Sequence, residues 1–274
     1  MFQPGVDDTE NSVLTHALPL LALTWTAAAV LMLALWLWHL KSRNAAVVDV
    51  GWAGGLALAA LLDLAMTHGD PVRRWVACLM MAVWGARLAT FLFVTRIIGH
   101  REDPRYAELR RAHGPSANRW FLWFFQVQAL LVALLSWPVV VCAIDANPAI
   151  SPLVWIGLAV WIVALGGESL ADRQLHAFTA IASNRGHTCR VGLWRYSRHP
   201  NYFFEWLVWV AYALAATSSP GGPIAWLCPA VMLYFLARVT GIPATEAHAI
   251  TSRGDEYLEY QRTTSAFVPW FPRN

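Results

Sequence analysis

Residues 17–38 read ALPLLALTWTAAAVLMLALWLW, a run without one charged side chain. A helix needs about 20 apolar residues to cross a bilayer, because each residue rises about 1.5 Å and the hydrocarbon core is about 30 Å thick. The run is therefore predicted to span a membrane. Six further apolar runs follow at 45–67, 73–95, 121–143, 152–174, 203–218 and 222–240. The sequence predicts an all-α membrane helical bundle of about seven spans, forming a single domain over residues 1–274.

The composition of the whole chain agrees with the membrane class. Of its 274 residues, 57% are hydrophobic and 14% are charged, and the mean hydropathy is +0.43. A soluble domain of this length rarely carries so little charge. The net charge of +3 is small and scattered along the chain, so no nucleic acid partner is expected.

The charges of the loops indicate how the helices are oriented. Basic residues concentrate in alternate loops, at Lys41 and Arg43, Arg101–Arg119, Arg173–Arg198 and Arg253–Arg273. The positive-inside rule places these loops in the cytoplasm. Residues 1–16 are then an extracytoplasmic tail, and residues 241–274 are a cytoplasmic C-terminal segment. The bias towards arginine and alanine favours a bacterial chain, so the expected location is a bacterial inner membrane.

Several ionisable side chains fall within the predicted spans. A charge there is costly and is by default a sign of function, with a structural ion pair between helices as the alternative. These residues are Asp49, Asp63, Arg87, Glu168, Asp172 and Glu205.

Helical periodicity relates some of these residues to each other. Asn201 and Glu205 are four positions apart, so they share one face of a helix. Arg87 and Arg96 are nine positions apart, and a straight helix would point them in opposite directions. If both bind one ligand, the helix is predicted to end or bend between them.

The segment 173–205 is the richest in polar residues. Its arginines suit phosphate groups, and a helix that begins after Pro200 would add its N-terminal N–H groups. A basic surface that attracts anionic lipid is the alternative. The sequence has no P-loop and no GxGxxG after a strand, so a nucleotide would bind outside a Rossmann fold. The histidines show no HExxH motif, and no metal is expected.

The run Gly192–Glu205, GLWRYSRHPNYFFE, resembles the C-terminal hallmark of the steroid 5-alpha-reductase and sterol-reductase superfamily. The chain is more similar to a bacterial branch of that superfamily known as DUF1295, over roughly residues 40–272. Other elements of that branch are found at Asp49–Trp52 (DVGW), Trp84–Leu88 (WGARL), Glu102–Tyr106 (EDPRY) and Tyr257–Pro269.

The resemblance implies NADPH-dependent reduction of a carbon–carbon double bond in a lipophilic substrate. It places the cofactor on the cytoplasmic side, in a site that the C-terminal segment 241–274 completes. Carried over by motif, the cofactor-binding residues are Arg87, Arg96, Asp172, Arg195, His199, Asn201, Tyr202 and Glu205. Asp49 and Trp84 fall where steroid reductases carry the groups that polarise the steroid carbonyl. The resemblance therefore makes Asp49 a catalytic residue and places Trp52 and Trp84 in the substrate pocket.

The expected reaction is a conjugate reduction, in which NADPH gives a hydride to an enone and a protein donor polarises the carbonyl. A carboxyl in apolar surroundings is more easily kept protonated, so Asp49 is the expected acid, with Tyr106 and Tyr202 as rival donors. The alternative for Asp49 is an ion pair with Arg43 or Arg87 that only joins helices. A steroid-like enone, another isoprenoid or a fatty acyl lipid would enter from the bilayer.

Two other functions stay open. Isoprenylcysteine carboxyl methyltransferases share the Arg-His-Pro element and a following Tyr, seen here at Arg198–Pro200 and Tyr202, and they use S-adenosylmethionine. Asn201, Glu205 and the DVGW element favour the reductase. A lipid-binding or structural membrane protein is the third possibility, and it would bind no cofactor.

Overall fold

The computed structural model describes residues 6–239 and 241–273, and every regular element in these ranges is helical. The first helices are α1 (Val6–Ser42), α2 (Val47–Met66) and α3 (Pro71–Leu92), and α3 runs into a π-helical turn at Phe93–Ile97. The others are α4 (Pro104–His113), α5 (Ala117–Leu135), α6 (Trp137–Ile144), α7 (Pro152–Ala180), α8 (Pro200–Ala216), α9 (Leu227–Tyr234), α10 (Ile242–Arg253) and α11 (Asp255–Thr263). The predicted all-α class is confirmed for these residues.

Six helical stretches of the described chain are long and apolar enough to cross a bilayer: Ser12–Ser42, Val47–Met66, Pro71–Ile97, Pro104–Ile144, Pro152–Ala180 and Gly222–Arg253. This is the pattern of an integral membrane protein, because backbone polar groups in hydrocarbon must be satisfied within the helix. The seventh predicted run, 203–218, corresponds to α8. That helix has 17 residues, fewer than the ~20 of an ordinary span, so the count of seven is not confirmed.

The two ends of the chain are largely helical. Residues 6–16, predicted as an extracytoplasmic tail, continue without a break into α1, while residues 1–5 lie outside the described part of the chain. The predicted C-terminal segment, in its described part 241–273, contains α10, α11 and an irregular end.

Aspartates fix the starts of two helices that carry candidate residues. Asp70 accepts the N–H of Arg73 and precedes Pro71, the first residue of α3. Asp103 accepts the N–H of Arg105 in the same way and precedes Pro104 at the start of α4. An acidic N-cap followed by proline is a strong helix start, because the carboxylate satisfies a free N–H and proline needs none.

The contacts group the helices of the predicted single domain into two compact units. The first unit contains the described residues up to Val154 together with Ala215–Ile224, and the second contains Trp155–Leu214 and the described residues from Ala225 onwards. In the first unit, α2 and α3 approach closely at Gly85, where a Cβ atom would lie 2.6 Å from the Ala53 carbonyl oxygen. Small residues allow such close helix packing within membranes.

Candidate active site

One group of side chains in the first unit gathers around Asp49, in the first turn of α2. Arg96 Nη1, from the π-helical turn, lies 3.1 Å from Asp49 Oδ2, and Arg105 Nη2, from α4, lies 3.4 Å from the same oxygen. The Tyr106 hydroxyl donates to Asp49 Oδ1 at 2.6 Å. We call these four residues and Asp103 the Asp49 cluster.

Every hydrogen-bond partner of the Asp49 carboxyl oxygens in the described chain is a donor. The carboxyl group therefore accepts hydrogen bonds from two guanidinium groups and one phenol hydroxyl. The Asp49 side chain is 25% exposed, and those of Arg96 and Arg105 are 37% and 40% exposed. The arginines are therefore the members of the cluster that a ligand could reach most easily, whereas Tyr106 is buried.

Asp103 holds Arg105 in this cluster. Both of its carboxylate oxygens accept hydrogen bonds of 3.0 Å from the Arg105 guanidinium, in addition to the N-cap bond. Burial raises the pKa of Asp103, but the hydrogen bonds and the charge of Arg105 lower it by more. The pKa therefore lies below its ordinary value. The ionised carboxylate fixes the direction of the Arg105 side chain towards Asp49.

Glu102 connects the same motif to the start of α2. Its Oε1 accepts the backbone N–H of Ala45 at 2.8 Å. Its two oxygens also accept from Arg110 of α4 at distances of 2.7 and 3.0 Å. The Glu102–Tyr106 motif therefore uses its charged side chains to place Arg105 and Tyr106 beside Asp49.

The sequence predicted an end or a bend between Arg87 and Arg96 if both bind one ligand, and α3 does end between them, in the π-helical turn Phe93–Ile97. A π-helical turn closes its hydrogen bond one residue later than an α-helix and so rotates the side chains that follow. Arg96 reaches Asp49, while the Arg87 guanidinium lies 5.5 Å from the centre of the Phe91 ring.

The two tryptophans predicted to line the substrate pocket contact each other. The Trp52 and Trp84 ring centres are 6.0 Å apart with an angle of 85° between the planes, a favourable edge-to-face arrangement. Trp84 is fully buried in the first unit, whereas Trp52 is partly exposed. Trp52 is therefore the better placed of the two to contact a substrate.

In the second unit, the hallmark run Gly192–Glu205 forms a short 3-10 turn, a bend and the start of α8. The Ser197 hydroxyl donates to the Phe267 carbonyl at 2.8 Å, and the Tyr260 hydroxyl donates to the carbonyls of Trp194 and Ser197. Burial raises the pKa of Tyr260, which keeps the hydroxyl protonated as a donor. The C-terminal segment thus packs directly on the hallmark run.

A second group of polar side chains surrounds Glu246 of α10. Its Oε1 lies 2.7 Å from Arg198 Nε and 3.2 Å from His199 Nε2, and its Oε2 accepts from Gln261 Nε2 at 2.7 Å. We call these four residues the Glu246 cluster. Arg198 Nη1 also donates to the Gln261 and Thr264 carbonyls at 2.9 and 2.6 Å, so this arginine is held by its own chain.

Three of the predicted cofactor residues lie on or next to this cluster. The rings of His199 and Tyr202 are stacked, with centres 5.3 Å apart, and the Tyr202 hydroxyl lies 3.3 Å from that of Thr245. Asn201 Oδ1 is buried and has no hydrogen-bond partner among the described residues. An unsatisfied buried acceptor costs about 1–3 kcal/mol, so this oxygen is suited to a donor from a ligand.

The other predicted cofactor residues of the second unit differ in their exposure. Arg195 is exposed at the end of the 3-10 turn, and Asp172 is buried on α7. Glu205 is partly buried on α8, one turn after Asn201. The sequence predicted that Asn201 and Glu205 share a helical face, and α8 provides that helix.

Four members of the two clusters stand in quoted motifs but were missed by sequence reasoning: Asp103, Arg105, Arg198 and Gln261. It also missed Glu246, which belongs to none of them. The C-terminal segment also carries Asp255, Glu256 and Glu259, so its sequence gave no signal that distinguished Glu246.

Comparison with known proteins identifies the family of this chain. No curated protein and no solved structure matches the chain. A family model described as a protein of unknown function (DUF1295) matches residues 35–264. That range covers most of the chain and includes the Asp49 cluster, the hallmark run and the Glu246 cluster. The chain therefore belongs to the DUF1295 family.

Proposed function

We propose that this protein is an integral membrane reductase that uses NADPH to reduce a carbon–carbon double bond in a lipophilic substrate. The observation that carries the proposal is the buried Asn201 Oδ1 in the first turn of α8, which has no hydrogen-bond partner among the described residues. NADPH carries amide and amine N–H donors for such an acceptor. The resemblance of the hallmark run to NADPH-dependent sterol reductases supports the same cofactor.

The residues of the second unit fit the parts of this cofactor. NADPH would supply the hydride when bound. Asn201 would accept one of its N–H groups, the stacked rings of His199 and Tyr202 offer a flat surface to an aromatic ring, and the exposed Arg195 suits a phosphate. The remaining predicted contacts in this unit are Asp172 and Glu205.

The Asp49 cluster would stabilise the negative charge that develops on the substrate. Arg96 and Arg105 carry five N–H donors each and use only part of them on carboxylates. The free donors would bind the carbonyl oxygen of an enone as it becomes an enolate. Asp49 would then orient the arginines, and Tyr106 and Tyr202 would be the candidate proton donors. This changes the expectation that Asp49 itself is the acid.

The proposed substrate is a steroid-like enone, another isoprenoid or a fatty acyl lipid. Such a molecule is stored in the bilayer, so the apolar helices provide a route for it. The exposed side of Trp52 would contact its apolar body. Membrane lipid is the expected surrounding of the protein, with no metal and no nucleic acid required for the reaction.

The proposed topology has seven spans, with α8 as the additional one, an extracytoplasmic N-terminus and a cytoplasmic C-terminus in a bacterial inner membrane. We expect green fluorescent protein fused at Gly114, at Gly186 or after Asn274 to fluoresce, since it folds in the cytoplasm. Alkaline phosphatase fused at Gly69 should be active outside it. An active phosphatase fusion at the C-terminus would contradict both the topology and the cofactor, because NADPH is cytoplasmic.

The cofactor proposal is tested by Asn201→Ala. We expect NADPH to bind at least about tenfold more weakly, which is about 1.4 kcal/mol, while the protein melts no earlier than the wild type. The variant should melt no earlier because the substitution removes an unsatisfied buried atom. Binding is measured by fluorescence titration of the purified protein with NADPH.

Asn184→Ala is the matched control for this variant. Asn184 lies in the same unit and donates to the Phe178 carbonyl at 2.9 Å, so its loss should not change NADPH affinity. Unchanged NADPH binding by Asn201→Ala would contradict the assigned role. If the wild type binds S-adenosylmethionine instead and the variant loses it, the methyltransferase interpretation replaces the reductase.

A further inference from the structure

A cavity of about 290 Å³ lies in the first unit at the end of α1. His39, Leu40 and Arg43 line it from one side, and residues of α4 and α5 line it from the other, among them Arg110, Ala117 and Asn118. No member of the Asp49 cluster lines this cavity. It is therefore distinct from the proposed reaction site.

The polar groups of the cavity favour an anion. Arg43 pairs with no carboxylate in the described part of the chain, whereas Arg110 is neutralised by Glu102 at 2.7 Å. The first turn of α5, at Ala117 and Asn118, has no side-chain cap. The positive end of the dipole of this 19-residue helix adds to the positive potential of Arg43.

The backbone of Arg43 is unusual as well. Its φ angle of +50° is the only positive one among the non-glycine residues in the described ranges. A residue directly after a helix often has this conformation, but glycine usually occupies the position, because a Cβ atom makes it costly. An arginine in place of the usual glycine points to a role for its side chain.

His39 adds a second requirement for the ligand. The residue is fully buried, and its Nδ1 lies 2.8 Å from the Trp36 carbonyl oxygen, so Nδ1 carries the hydrogen of that bond. Its Nε2 is buried without a hydrogen-bond partner in the described chain. With Nδ1 protonated, the neutral ring presents Nε2 as an acceptor. The ligand should therefore bring a donor in addition to its negative charge.

The surface next to the cavity suits an acyl chain. Leu33, Leu37 and Leu40 are four and three positions apart on α1, so they share one face, and all three are exposed. Leu40 also lines the cavity. The three side chains form an apolar track of about 10 Å that ends at the polar cavity. A ligand with an anionic head and an apolar tail matches both parts.

We propose that this cavity binds the headgroup of a phospholipid that carries an N–H donor beyond its phosphate, as phosphatidylethanolamine does. The phosphate lies against Arg43 and the start of α5. The ammonium group donates to His39 Nε2, and one acyl chain lies along Leu37 and Leu40. This binding does not depend on the proposed reductase function.

The test uses the full-length protein, delipidated in a neutral detergent, and follows its melting temperature as lipid is added. Phosphatidylethanolamine should raise the melting temperature at a concentration about tenfold lower than phosphatidylcholine with the same acyl chains, because the choline group has no N–H donor. Arg43→Gln should weaken the phosphatidylethanolamine effect by about tenfold or more. Arg111→Gln, the matched control at an exposed arginine of α4 that does not line the cavity, should leave it unchanged.

Arg43→Gly separates binding from folding. Glycine adopts a positive φ without cost, so without lipid this variant should melt no earlier than the wild type, yet it should lose the response to lipid. Equal effects of the two lipids, or an unchanged response in Arg43→Gln, would overturn the proposal. So would free phosphoethanolamine acting as strongly as the lipid, which would indicate a site for soluble phosphate esters.

Discussion

Asp49→Asn is expected to leave NADPH binding nearly intact but to lower the rate of NADPH oxidation by about two to four orders of magnitude. The asparagine side chain has an NH₂ donor where Arg96, Arg105 and Tyr106 all need an acceptor. The substitution also removes the negative charge that orients the two arginines. Because the cluster is partly exposed to solvent, the lost pairing should cost little stability, about 0–1 kcal/mol. The rate is measured by NADPH absorbance with a steroid enone, a polyprenyl enone and an unsaturated acyl lipid as acceptors.

Asp70→Asn is the matched control in the same unit. Asp70 caps α3, and asparagine caps a helix equally well, so neither the rate nor the stability should change. If Asp49→Asn melts early and also loses NADPH, Asp49 belongs to a structural ion pair. A normal rate would remove Asp49 from the mechanism, and the Phe variants of Tyr106 and Tyr202 would then identify the donor.

Glu246→Ala is expected to destabilise the protein by about 3–5 kcal/mol, the usual cost of removing one partner of a buried ion pair. The side chains of Arg198 and Glu246 are only 11% and 14% exposed, so the substitution leaves a buried guanidinium without its carboxylate. His199 and Gln261 lose an acceptor at the same time. The measurement is the midpoint of chemical unfolding in detergent, followed by circular dichroism.

Two further variants locate the cause of this loss. Glu259→Ala breaks a mostly exposed pair with Arg262 at 3.7 Å in the same unit and should change the stability by less than about 0.5 kcal/mol. Glu246→Gln keeps an oxygen acceptor for Arg198, so its unfolding midpoint should lie between those of Glu246→Ala and Glu259→Ala. A Glu246→Ala protein that unfolds at the same midpoint as Glu259→Ala would show that the Glu246 cluster does not hold the C-terminal segment on the hallmark run.

The helices and some of their ends could be predicted, because they depend on residues close together in the sequence. The apolar runs specify helices, since a helix is the simplest way to satisfy the backbone in hydrocarbon. The start of α8 at Pro200 was predicted because proline suits the first turn of a helix and disrupts later ones.

The length of the sixth predicted span shows a limit of the same reasoning. The run 203–218 is apolar, yet α8 has 17 residues, and Trp209 and Tyr212 on this helix are almost fully buried in protein. Apolar composition is equally compatible with lipid and with a protein interior, so the sequence does not distinguish a helix packed among others from one that spans the bilayer.

The sequence by itself determined the membrane class and most of the helices, because these depend on patterns within a few turns of one helix. Only the tertiary structure decided the partners. Asp49 pairs with Arg96, 47 residues away, and with Tyr106, 57 residues away, rather than with Arg43 or Arg87. Glu246 meets Arg198 across 48 residues. Such pairs depend on where helices end and how they pack, and helical periodicity carries no information over those distances.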